Sequence, residues 1–166
     1  MSPINFQAFT GLITHMEDYP FYPTDEETGC HKFITVQNET GMIVNFIAGP
    51  NTYFVNHEMV SVGDQITGYL DGDVPVILIY PPQYYALIIV KESPSTHVKV
   101  DYFDDDLVSG DGNLKLHVNP DTPILLTNGQ AFNQNPAQRN LIITYTHTSK
   151  SIPALTTPEE IIVYCR

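Results

Sequence analysis

The sequence predicts an all-β protein built from two tandem, partly open β-barrel modules. Short β-branched or aromatic runs bounded by Gly, Pro, Asn or Asp recur along the whole chain. Helical periodicity is almost absent: "DEETG" and "TTPEE" can each start a turn, but no apolar stripe of period 3.6 follows. One order of features is also written twice, "NFIAGPNTYFVN" from Asn45 being answered by "KLHVNPDTPILLTN" from Lys115.

Taken in order, "INFQAFTGLITHME" supplies one possible strand in an N-terminal extension over residues 1–27. This stretch has no evident counterpart later in the chain, and an open barrel edge, in its own chain or a neighbour's, is a natural partner for it. Then come "HKFITVQ", the polar turn "QNETGM" and "GMIVNFIA", a hairpin whose Gly41 suits a positive φ. Next is the bend "GPNT", followed by "NTYFVN". Proline removes a ladder donor and fixes φ, so it belongs where a strand ends and the chain turns, while the adjacent Asn or Asp holds the corner. The Gly-Asp turn of "VSVGDQITGYL" leads into "DQITGYLD", and "VPVILIY" and "YALIIVK" read as strands completing a first module over residues 28–92.

A second module over 96–165 repeats the order from "HVKVDYF" to "EEIIVYC". In this alignment His31 answers His97, Phe46 answers His117, Pro50 answers Pro120, and Thr52 answers Thr122. Ile66 and Tyr69 answer Ile142 and Tyr145. Val74-Pro75 answers Ile152-Pro153, Tyr80-Pro81 answers Thr157-Pro158, and Ile88-Ile89-Val90 answers Ile162-Val163-Tyr164.

Roughly five short strands with a central corner are the content of a small barrel. On the Gly-Asp turn, the hairpins and the proline corners, each copy resembles an OB-type β-barrel module. Over about residues 28–165 the chain is similar to uncharacterised proteins of spore-forming bacteria. The resemblance implies a bacterial origin and a barrel-like fold, and it implies no activity.

Composition excludes some partners. The 166 residues carry 19 acidic and 7 basic side chains, a formal charge of −12, with no Lys/Arg cluster. Such a chain does not neutralise phosphates, so no nucleic-acid partner is expected, and anionic membrane surfaces are disfavoured. The longest apolar runs are far shorter than the ~20 residues of a membrane helix, so no membrane insertion is expected. The opening residues lack the basic start and apolar core of a secretory signal, which points to a cytoplasmic or spore-associated protein. For the same reason the sequon Asn38-Glu39-Thr40 is read as chance.

Candidate chemistry is sparse. None of the six histidines pairs with another at i, i+2 or i, i+4, and "HEMVS" at His57 has Ser61 where a zincin needs its second His. Cys30 and His31 are neighbours on a strand and so point to opposite faces, which removes them as nucleophile and base. No G-x-S-x-G or phosphate loop occurs. "DYFDDDLVSGDGN" gathers carboxylates, of which Asp104, Asp106 and Asp111 are the candidate calcium ligands; a solvated acidic turn has the same composition. "YPPQYY", echoed by "YPFYP", offers Tyr80, Tyr84 and Tyr85 as a stacking surface for a glycan or small molecule, or as a barrel cap. Cys30 and Cys165 are read first as free thiols and second as one disulfide.

The expected function is a non-catalytic structural or assembly protein, of a bacterial surface or spore layer, that self-associates. The alternative is a glycan- or small-molecule-binding β module using the Tyr/Pro patch. A weaker third, a hydrolase, rests only on carboxylates being plentiful.

Overall fold

A computed structural model describes residues 2–20 and 25–166. The chain is all-β, with thirteen strands and one 3₁₀ turn among the described residues. Among the described residues no helix is long and apolar enough to cross a membrane. It divides into two compact units, Asn5–Glu92 and Ser93–Arg166, the latter taking in Met1–Ile4.

The first unit holds β1 (Phe6–Asp18), β2 (Lys32–Gln37), β3 (Ile43–Ala48), β4 (Tyr53–Phe54), the 3₁₀ turn Val55–His57, β5 (Gln65–Asp71), β6 (Gln83–Tyr85) and β7 (Ile88–Lys91). They form one sheet in the order β4-β7-β5-β1-β2-β3-β6. The N-terminal stretch is therefore no extension. β1 is the central strand, pairing with β5 from Phe6↔Asp71 to Leu12↔Gln65 and with β2 from Leu12↔Gln37 to Asp18↔Lys32. One strand serves two partners because the register shifts between Ile13 and His15, and such a bulge bends and twists its strand.

No ladder closes the sheet into a barrel. Instead one chain segment meets both flanks of the sheet. β6 runs parallel to β3, and two residues later β7 runs antiparallel to β5. At the crossover Ala86 N–H donates to Ile47 O at 2.9 Å and Leu87 N–H to Tyr69 O at 2.8 Å, so consecutive amides bond opposite flanks. The enclosed core is Ile13, Ile34, Val36, Phe46 and Ile66, all fully buried, with Ile89 and Ala86. Gly68 on β5 leaves room for the Phe46 ring, which a Cβ there would approach to 2.5 Å.

The second unit holds β8 (His97–Phe103), β9 (Leu114–Leu116), β10 (Ile124–Leu126), β11 (Arg139–Tyr145), β12 (Ala154–Thr156) and β13 (Glu160–Val163). Its sheets run β10-β13-β11-β8 and β12-β9. Single bridges Phe103↔Ser109 and Val108↔Lys115 stand where β2 stands in the first unit. Every other pairing has its counterpart. β8–β11 and β11–β13 are antiparallel like β1–β5 and β5–β7, while β9–β12 and β10–β13 are parallel like β3–β6 and β4–β7. Its core is Phe103, Leu141, Ile143, Ile161 and Val163. The buried Asn140 accepts the Ile4 amide at 3.0 Å and donates to Ser2 O at 3.2 Å, which ties the first residues to this unit.

The two corners share two bonds. Gly49 N–H donates to Thr52 Oγ1 at 3.0 Å and Asn119 N–H to Thr122 Oγ1 at 3.2 Å; Thr52 N–H and Thr122 N–H return to the same residues' carbonyls. Pro50 and Pro120, and Thr52 and Thr122, hold like places, as the sequence alignment had them. Elsewhere the registers correct that alignment. Phe46, paired with Tyr84, answers Leu116, paired with Thr156, and not His117. The bonds Leu87 N–H to Tyr69 O and Glu159 N–H to Thr144 O equate Tyr69 with Thr144, hence Ile66 with Leu141 and Ile89 with Ile161. His31 precedes β2 while His97 opens β8, the counterpart of β1, so they are not equivalent. Pro81 answers Pro153, each following a cis peptide bond. The offsets arise because the links differ in length: Pro81 lies 12 residues after Tyr69, and Pro153 lies 9 residues after Thr144.

Candidate functional site

The predicted tyrosine surface does not assemble as one face. Successive residues of a strand point to opposite sides, so Tyr84 turns inward beside its neighbour Phe46 and packs against the core, and Tyr85 turns outward. The Tyr85 hydroxyl and the His31 ring converge over Gly49, where a Cβ would collide with both. Tyr80 lies apart from β6, at the end of the preceding loop, and is 79% exposed. Of the echo "YPFYP", Tyr19 stacks on Phe33 at 5.9 Å between ring centres, and Phe21–Pro23 lie outside the described residues.

The most unusual surface is formed by a run that the sequence predicts to be a strand. "VPVILIY" forms no strand. It is the loop from β5 to β6, and Val74, Val76, Ile77, Leu78, Ile79 and Tyr80 are all exposed, Leu78 to 98%. Its root is firmly held: Asp73 N–H donates to Asp71 Oδ1 at 3.0 Å, Asn5 Nδ2 to Asp73 Oδ1 at 3.1 Å, and Gly72 N–H to Asn5 O at 2.8 Å. At its tip Ile79 N–H reaches back to Ile77 O at 3.1 Å, a three-residue turn with Leu78 at the apex. The counterpart loop of the second unit reads "THTSKSI", polar but for the exposed Ile152.

A second feature of the first unit is a cavity of about 280 Å³ lined by Met16, Phe54, His57, Glu58, Met59 and Val60. Asn56 and His57 both take positive φ, 61° and 52°, which bends the segment around it. His57 joins no group of three metal-ligating side chains among the described residues.

The acidic hairpin splits the predicted ligand set. Asp104, Asp105 and Asp106 lie together and exposed, with ligand atoms within 4.8 Å of one another. Asp104 is already used by the backbone, its Oδ1 accepting the Asp106 and Val108 amides at 2.9 and 3.0 Å. Asp111 belongs elsewhere. It is paired with Lys99, and its Oδ1 accepts Ser109 Oγ at 2.6 Å and the Asn113 amide at 3.0 Å. Partial burial acts to raise its pKa. The hydrogen bonds from Lys99, Ser109 and Asn113, with the Lys99 charge, outweigh that and hold the carboxyl at about 2. Asp111 is thus a correction to the predicted calcium set, and three exposed carboxylates do not by themselves indicate an ion. The spacing alone missed Lys99 because it lies 12 residues back, on β8.

Both cysteines are exposed free thiols, so the candidate disulfide is absent. Cys30 ends the turn before β2, with Sγ 3.5 Å from Glu26 O, and Cys165 follows β13. No protein-family model, curated protein or solved structure matches this chain.

Proposed function

We propose that this is a non-catalytic assembly protein whose docking element is the apolar loop between β5 and β6. One observation carries the reading: six large apolar or aromatic side chains within seven residues stand in solvent on a hydrogen-bonded root. Contiguous patches on monomeric proteins rarely exceed about 300–600 Å², and larger ones mark interaction sites. The contrast with the polar loop at the same place in the second unit supports it, since the fold itself does not require an apolar loop there.

The strand connectivity supports reading each unit as an OB-like module arisen by duplication. On that reading the loop joins the fourth and fifth barrel strands, a position OB-folds use for ligands. The separation of Tyr80, Tyr84 and Tyr85 removes the shared face on which glycan stacking relied.

Sedimentation velocity across concentration and ionic strength tests the proposal. Concentration-dependent association is expected, stronger at high salt because the net charge of −12 opposes assembly until it is screened. A monomer under all conditions would sink it.

A further inference from the structure

We propose that the partner of the loop Val74–Tyr80 is the same loop of a second copy, the two running antiparallel about a twofold axis through Leu78. The proposal rests on the assembly reading and names its partner.

The argument begins with area. The six exposed side chains present on the order of 600 Å², most of the about 800 Å² that one partner contributes to a stable interface. An isologous contact supplies that patch twice from one sequence, and twofold dimers are the commonest closed assembly. Charge then selects the orientation. The entering root carries Asp71 and Asp73, whereas the leaving root is the uncharged Pro81-Pro82. Antiparallel loops set the acidic root of one copy against the proline root of the other, and parallel loops would bring the two exposed Asp73 carboxylates together, Asp71 being buried. Shape agrees: Leu78 is the apex of the tip turn and the most exposed apolar residue of the chain, so a twofold through it buries the most at its centre. Pro75, Pro81 and Pro82 bracket the segment and lack ladder donors, which stops the contact from propagating as a sheet.

Cysteine trapping in a Cys30→Ser, Cys165→Ser background tests this. A residue on a twofold axis meets itself, so Leu78→Cys alone should oxidise to a covalent dimer. Val76→Cys and Tyr80→Cys should each stay single alone and cross-link when mixed. Met59→Cys, at a site 86% exposed outside the loop, controls for random oxidation and should stay single. Leu78→Asp without cysteines should weaken the sedimentation dimer at least about thirtyfold. If the protein dimerises but Leu78→Cys does not cross-link, or Val76→Cys links to itself as well as to Tyr80→Cys, this inference falls and the assembly reading stands. If nothing associates at any concentration, both fall.

Discussion

Asp111 shows how much a single side chain depends on a partner that the local sequence does not announce. Its carboxylate is held by Lys99, Ser109 and the Asn113 amide, and its pKa lies at about 2 against an ordinary 3.8. A pKa lowered by folding means that the ionised form stabilises the native state. The contribution is complete above the unfolded value near 3.8 and is lost as pH falls through about 2. With the side chain 39% exposed, screening keeps the contribution near 1 kcal/mol. Asp111→Asn is therefore expected to lower urea stability by about that amount at pH 7, and the gap between variant and parent should shrink towards pH 2. A gap independent of pH would show that the hydrogen bonds, not the charge, are what matters. The acidity of this hairpin was legible in the sequence. The division of labour within it was not, because Asp104 serves amides two and four residues on while Asp111 serves a lysine on another strand.

At the scale of the elements, the Pro-x-Thr corners were readable because their chemistry is local. A proline, a side chain that bonds nearby backbone and a three-residue reach all sit within one short string, and both copies fold it alike. The two threonines nevertheless carry different loads. Thr52 is buried and its hydroxyl also donates to Ala86 O at 2.7 Å, holding the crossover between β6 and β7. Thr122 donates only to Asn119 Oδ1 within its own corner, at 3.1 Å. Thr52→Val should then cost about 1–3 kcal/mol, since it leaves a buried carbonyl without its donor, and Thr122→Val less than about 1 kcal/mol. Equal losses by denaturant titration would refute the distinction. Two other elements were misread for physical reasons. β1 hid its place in the repeat because the shift at Ile13/His15 breaks the alternation by which strands are recognised. "VPVILIY" reads as a strand because an apolar β-branched run has one composition whether the fold pairs it in a sheet or leaves it in a loop.

For the molecule as a whole, the matching connectivity of the two units turns one into a control for the other. Residues 74–80 and 146–152 are each followed by a proline across a cis bond, and each lies in the link between equivalent strands, β5 to β6 (72–82) and β11 to β12 (146–153), the second link being three residues shorter. The second unit thus demonstrates that this connection folds with a polar sequence. Replacing "VPVILIY" by "THTSKSI" in the first unit keeps the length, the following Pro81 and the root bonds among Asn5, Asp71, Gly72 and Asp73. None of the buried core residues lies in the exchanged segment. The chimera should therefore melt within a few degrees of the parent at low concentration, where both are monomeric. Its association should disappear at the concentrations and ionic strengths at which the parent dimerises. The expectation follows from the charge as well. At −12 the chain repels its own copies, so an apolar surface is what overcomes that repulsion, and without it salt screening alone has nothing to promote. A chimera that still associates would move the interface elsewhere, the cavity beside Met59 being the next surface to alter. One that loses its cooperative melt would show that the apolar loop contributes to the fold of its own unit.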